Sequence, residues 1–113
     1  MSDELFIDAY ENILNRSLKM LKEDRFAAIV VGDVRDAKGI YKNFVSKTIE
    51  IFQKSDLLLY NELILLQEPA TAAMRAFNYM NSSRKIAKCH QNVLVFVKGD
   101  PKNATNRLEK FTE

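Results

Sequence analysis

The fold of this chain is decided by the stretch FAAIVVG, residues 26–32 of 113. A continuous, β-branched apolar run that ends at a turn residue predicts a strand buried on both faces. Patterns of helical spacing flank it, over residues 3–22 and 40–54, each with one apolar stripe. Residues 57–66 form the next strand-like run, so the middle of the chain predicts a strand–helix–strand unit with a right-handed parallel crossover.

A third strand is predicted over residues 92–97, NVLVFV. It should pair antiparallel with residues 57–66, because no helical pattern separates the two runs. A polar stretch of about twenty residues, from Pro69 to His90, is predicted to be a long loop of the kind that carries function. The fold class is therefore α/β, in the order α-β-α-β-loop-β, with the first two strands parallel and the last antiparallel. A polar tail is expected over residues 103–113.

Composition excludes several classes of protein. Three glycines and two prolines exclude collagen-like and Pro/Gly-rich disordered chains. A single cysteine excludes an internal disulfide framework and a Cys-based zinc cluster. The apolar runs are short and the N-terminus is acidic, so we expect neither a membrane span nor a signal peptide. The prediction is one cytoplasmic domain.

Charge is distributed unevenly, although the net charge is only +2. Residues 69–99 contain five cations and no acidic residue, whereas the remainder carries 12 basic and 15 acidic residues. Such a basic segment is a possible electrostatic footprint for phosphate. The alternative is a solvated loop that lacks acids by chance.

Three stretches together resemble phage and bacterial DNA methyltransferases that modify the exocyclic amino group of adenine or cytosine. They are FAAIVVGDVRD at 26–36, SRKIAKCHQNVLVF at 83–96 and KGDPK at 98–102. The resemblance covers residues 1–102 and implies the C-terminal half of a class I, Rossmann-like methyltransferase domain. In that family, the strand at 26–31 has neighbours on both sides, one of them from the N-terminal half.

The chain departs from the family in two motifs. The family binds S-adenosylmethionine with a Gly-rich turn, but the three glycines, Gly32, Gly39 and Gly99, form no Gly-x-Gly turn. The family also holds the target amine with an [Asp/Asn/Ser/Cys]-Pro-Pro-[Tyr/Phe/Trp] loop, and this chain has no Pro-Pro. We expect a split or truncated enzyme that is inactive alone, with no catalytic residue, no bound cofactor and no metal of its own.

Two groups of residues are candidate site residues. The first follows the strand at 26–31, where open α/β sheets bind ligands, and the resemblance places it beside the target base. The second lies in the basic loop, where aromatic side chains suit a flipped base and cations suit phosphate. The predicted pocket-lining residues are Asp33, Arg35, Asp36, Phe77 and Tyr79, and the predicted DNA-binding residues are Arg75, Arg84, Lys85 and Lys88.

Each candidate also has a structural interpretation. Arg35 could form a salt bridge within its loop, Phe77 and Tyr79 could belong to the core, and the basic residues could be merely solvated. The expected partners are DNA, bound weakly, and either a missing N-terminal half or further copies of the chain. Further copies would contact the unprotected edge strand at 26–31 or the first helix. The alternative is a monomer in which the first helix covers that edge. The alternative function is a non-catalytic α/β module that oligomerises or binds nucleic acid.

Overall fold

A computed structural model describes residues 3–66, 72–86 and 88–108, which form four helices and three strands. The helices are α1 (Asp3–Lys19), α2 (Phe44–Lys54), α3 (Ala72–Ser82) and α4 (Pro101–Asn106). The strands are β1 (Arg25–Val31), β2 (Leu57–Leu66) and β3 (His90–Lys98). The mixed α/β class is confirmed, and no described helix is long and apolar enough to cross a membrane.

The three strands form one sheet in the order β1-β3-β2. Strand β3 is antiparallel to both neighbours, as predicted for the last strand. Strands β1 and β2 therefore run in the same direction, but they are not adjacent, so the predicted parallel pair is not formed among the described strands. Strand β3 has the most buried residues of the three and takes the central position, where both of its edges are paired.

The core lies between one face of the sheet and helices α1 and α2. Leu57, Leu94 and Phe96 are fully buried there, and Leu18 and Phe52 pack against them from the helices. The Phe52 and Phe96 rings stack with their centroids 4.0 Å apart. The apolar stripes of the two helices thus cover this inner face.

Among the described elements, only α4 covers the outer face of the sheet, and it does so at one end. Helix α4 packs against β1 and β3 there, and it buries Ala104. Farther along β1, Ala28 and Val30 are exposed. The prediction that residues 26–31 are buried on both faces is therefore wrong, because no described helix covers this part of the outer face.

The long loop predicted between β2 and β3 contains a helix instead. Helix α3 spans Ala72–Ser82, and three alanines, two methionines and one arginine among its eleven residues favour a helical backbone. The Asn and Ser residues in and next to this helix are typical of loops, so the sequence pattern predicts a loop here. Helix α4 likewise crosses the expected domain boundary at residue 102, with Asp100 capping it and Pro101 at its first turn.

Candidate nucleic-acid interface

The loop after β1 folds into a small hairpin over residues 34–42. Asp36 N donates to Ile40 O at 2.8 Å, Lys42 N donates to Val34 O at 2.9 Å, and an isolated bridge pairs Arg35 with Tyr41. Because these bonds keep residues 36–40 in a turn, α2 begins at residue 44 and not at residue 40 as predicted.

The carboxylates of Asp33 and Asp36 hold backbone amides. Asp33 Oδ1 accepts from Val45 N at 3.1 Å, in the first turn of α2, while the N-cap residue Asn43 makes no side-chain cap bond. Asp36 Oδ1 accepts from Lys38 N at 2.9 Å and from Ile40 N at 3.0 Å. Each carboxylate therefore orders the local backbone, one as a remote helix cap and the other within the turn.

Arg35 braces the hairpin. Its Nη1 donates to Gly39 O at 2.8 Å, and its Nη2 donates to Tyr41 Oη at 3.2 Å. The guanidinium carbon lies 4.2 Å from the centroid of the Tyr41 ring, a cation–π arrangement. Among the described residues, no ion pair joins Arg35 to either aspartate, so the expected loop salt bridge is replaced by these contacts.

Sheet topology brings the basic segment to this hairpin. The end of β1 lies opposite the start of β3, with Val31 paired to Asn92, so the residues before β3 meet the residues after β1. Lys88 Nζ donates to Asp33 O at 3.4 Å, across 55 positions of sequence. A Cβ atom added to Gly39 would lie 3.0 Å from Lys85 Cε, so Lys85 crosses the tip of the hairpin.

Arg84 begins this segment at the end of α3. It adopts a left-handed backbone conformation with φ 59°, and its amide donates to Tyr79 O at 2.7 Å. A left-handed residue that closes the last helical turn in this way is a common helix ending. The side chain of Arg84 is exposed, so its charge faces solvent.

The remaining candidates lie on α3. Phe77 is 69% exposed and Tyr79 is 38% exposed, so the described structure does not bury either ring in a core. Helix α3 makes no extensive packing contact with any other described helix or strand. The backbone of Arg75 lies in α3, but its side chain lies outside the part of the chain that the structure describes.

The opposite side of the hairpin faces a different environment. A cleft of about 670 Å³ lies between the start of α1, the hairpin and the start of α2. Its apolar lining includes Phe6, Val34 and Phe44, and its charged lining is Glu4, Asp8, Asp36, Lys42 and Lys47. The cleft has no dominant sign of charge, whereas Lys85 and Lys88 lie on the hairpin side that faces β3. Within residues 3–66, 72–86 and 88–108, no group of three His, Cys, Asp or Glu residues could hold a metal ion.

No family model, curated protein or solved structure matches the chain.

Proposed function

We propose that the chain is the C-terminal part of a DNA methyltransferase that acts on exocyclic amino groups of bases, and that it supplies DNA contacts to the complete enzyme. The observation that carries this proposal is the contact of Lys85 and Lys88 with the loop after β1. Both stretches belong to the segments that resemble the family, and they converge at the carboxyl ends of β1 and β2. Ligands bind at such ends in open α/β sheets.

The strand directions agree with what the resemblance implies. Two strands run the same way and the last strand is antiparallel to them. Strand β1 lies at an edge of the sheet, which is where the resemblance requires a further strand from an N-terminal half. The proposal thus accounts for an apolar strand, FAAIVV, at a position where edge strands usually carry protective charges.

The chain does not fit the family's cofactor. A Gly-x-Gly turn is absent from the sequence, and so is the Pro-Pro loop that would hold the target amine. The two loop carboxylates are bonded to backbone amides, so they hold the loop in shape. We therefore assign S-adenosylmethionine and the chemical step to the N-terminal half, and expect no methyl transfer by this chain alone.

The electrostatics of the interface suit a phosphate backbone. Residues 32–42 and 84–88 together carry six cations, Arg35, Lys38, Lys42, Arg84, Lys85 and Lys88, against the two carboxylates of Asp33 and Asp36. Phosphate contacts position a protein on DNA without reading its sequence. Lys42 and Asp36 line the cleft on the α1 side, whereas Lys85 and Lys88 lie on the side that faces β3. A small local excess of cations of this kind is sufficient for weak, salt-sensitive binding.

Salt-dependent DNA binding tests the proposal. We expect labelled duplex DNA to bind with a log–log salt slope of roughly −3 to −4, since three to five phosphates would be neutralised. Replacing Arg84, Lys85 and Lys88 with alanine should flatten the slope. A control variant removes three exposed lysines elsewhere, Lys22, Lys47 and Lys102, at the same change in net charge. Binding that is absent at low salt, or equal loss in the two variants, would contradict the proposal.

A methyl-transfer assay tests the assignment of the chemistry. The purified chain is incubated with labelled S-adenosylmethionine and mixed-sequence DNA, and calorimetry measures cofactor binding in parallel. We expect no label on DNA above the buffer control and no binding isotherm. Transfer of label by the chain alone would show that the cofactor and amine sites are built without the two missing motifs.

A second candidate function is a non-catalytic oligomerising module. One observation favours it: the outer half of β2 is apolar on both faces and exposed, from 48% at Leu65 to 78% at Leu66. Long exposed edge strands of this kind pair with other chains. A module that only oligomerises would self-associate, and the basic segment would make no difference to DNA binding. This result would separate it from the first candidate.

A further inference from the structure

The tip of the hairpin and the basic segment form one continuous surface. Gly39 adopts φ +89°, and a Cβ there would lie 3.0 Å from Lys85 Cε and 3.5 Å from Lys85 Nζ. The glycine therefore both allows the turn and leaves room for the Lys85 side chain to cross it. Lys38 immediately precedes this contact and is exposed.

We propose that Lys38 and Lys85 together bind the phosphodiester backbone of duplex DNA, so that the hairpin is part of the DNA-contacting surface. Lys38 was not among the DNA-binding residues predicted from the sequence, because it lies 47 positions from Lys85. This inference rests on the proposed function and deepens it by naming the partner group and a residue that contacts it.

The hairpin is built to hold a charge in place. Arg35 is occupied by Gly39 O and Tyr41, and Asp36 is occupied by the amides of Lys38 and Ile40. These contacts fix the backbone that carries Lys38, and less conformational freedom is then lost when a phosphate binds. Among the described residues, no carboxylate forms an ion pair with the ammonium of Lys38 or of Lys85, which leaves both available to an anion.

Charge on the two sides of the hairpin decides where the backbone lies. The cleft on the α1 side is lined by both signs of charge, Glu4, Asp8 and Asp36 together with Lys42 and Lys47, so it offers no excess of cations to a phosphate. Lys85 and Lys88 lie on the other side, against Gly39 and Gly32. A phosphate backbone is therefore directed across the hairpin tip toward the segment before β3, and it would meet Lys38 on this path.

The test compares four single variants and one double variant in the duplex DNA assay. Lys38→Ala and Lys85→Ala should each weaken binding roughly fivefold and reduce the magnitude of the salt slope by about 1. The double variant should reduce the magnitude of the slope by about 2. The control is Lys22→Ala, an exposed lysine that precedes β1 and is separated from the hairpin by a seven-residue strand, or roughly 20 Å. It should leave the slope unchanged, and Lys38→Arg should retain binding.

The outcomes distinguish this inference from the proposed function. If Lys38→Ala keeps the wild-type slope while the Arg84/Lys85/Lys88 variant loses it, the hairpin inference is overturned and the proposed function stands. A loss confined to one DNA sequence would also overturn it, because phosphate contacts weaken binding uniformly across sequences. If the wild-type chain binds no DNA at low salt, both fall.

Discussion

The two ends of β2 differ in solvent exposure although their sequences are equally apolar. Leu57, at the start of the strand, has 0% exposure and belongs to the core with Phe96. Leu66, at the other end, is 78% exposed. We call the part of the sheet around Leu57, Leu94 and Phe96 the closed end, and residues 63–66 of β2 the open end. Apolar character is therefore enough to specify a strand, whereas the burial of that strand depends on which other elements pack against it.

The cover of the closed end comes from helices within the chain. Helix α2 packs on β2, helix α1 packs on α2, and both place apolar side chains over the inner face. No described helix does the same for the open end, and α3 makes no extensive contact with the rest of the described chain. The closed end is thus covered within the chain, whereas the open end leaves apolar surface for contact with a further copy of the chain, as the second candidate function requires.

The largest expected effect compares the same substitution at the two ends. Leu94→Ala removes a side chain of 0% exposure and should lower the free energy of unfolding by about 3 kcal/mol, from lost burial and the cavity that remains. Leu66→Ala, the matched change at the open end, should alter it by less than about 0.5 kcal/mol. Urea denaturation of both variants measures the contrast. Equal losses would show that the open end is covered in solution, either by part of the same chain or by a further copy.

A smaller effect is expected where α1 and α2 are joined by a buried hydrogen bond. Thr48 has 0% exposure, and its Oγ1 lies 3.0 Å from Tyr10 Oη and donates to Phe44 O at 2.9 Å. Thr48→Val should cost about 1 to 2 kcal/mol, because the tyrosine hydroxyl loses its partner. Tyr10→Phe is the matched partner variant. If a double-mutant cycle gives no coupling between the two, the bond contributes nothing to the closed end.

The helix cap provided by Asp33 should have an effect near 1 kcal/mol. Asp33→Ala leaves Val45 N without its acceptor and should destabilise the chain by about that amount, whereas Asp33→Asn keeps a cap oxygen and should cost less. Thermal unfolding of the two variants tests this structural role. If Asp33→Ala leaves the stability unchanged and weakens DNA binding, the result would contradict the structural role and favour the base-pocket role predicted from the sequence.

Local sequence patterns predict much of the fold. The bounds of β2 agree with the prediction to the residue, the start of α1 at residue 3 is confirmed, and the apolar runs at 26–31 and 92–97 lie within β1 and β3. Each of these is a run whose own hydrophobic spacing determines its backbone. The prediction failed where non-local contacts decide, as in the central position of β3, which depends on burial in the assembled sheet.

The candidate site shows the same limit. The sequence identified Asp33, Arg35, Lys85 and Lys88 as a set of residues but could not show that the two stretches touch, because the contact of Lys85 with Gly39 follows from strand order. The residue types at Asp36 and Gly39 are typical of a turn, and the structure shows Gly39 at a positive φ and Asp36 accepting from the amide of Ile40. The exposure of Phe77 also depends on packing, which the spacing of apolar residues in the sequence does not predict.

The most direct test of the account is the mass of the chain in solution. The free edge of β1 exposes apolar surface that the proposal assigns to an absent half, and the open end of β2 exposes further apolar surface. Burying a few hundred Å² of such surface is worth on the order of 5–10 kcal/mol at about 25 cal/mol per Å². In the absence of that half, sedimentation equilibrium at micromolar concentration should give a mass above 13.0 kDa. Ile64→Lys or Val30→Lys should lower the mass, according to whether β2 or β1 forms the contact. A monomer of 13.0 kDa at every concentration would contradict the claim that this domain is incomplete.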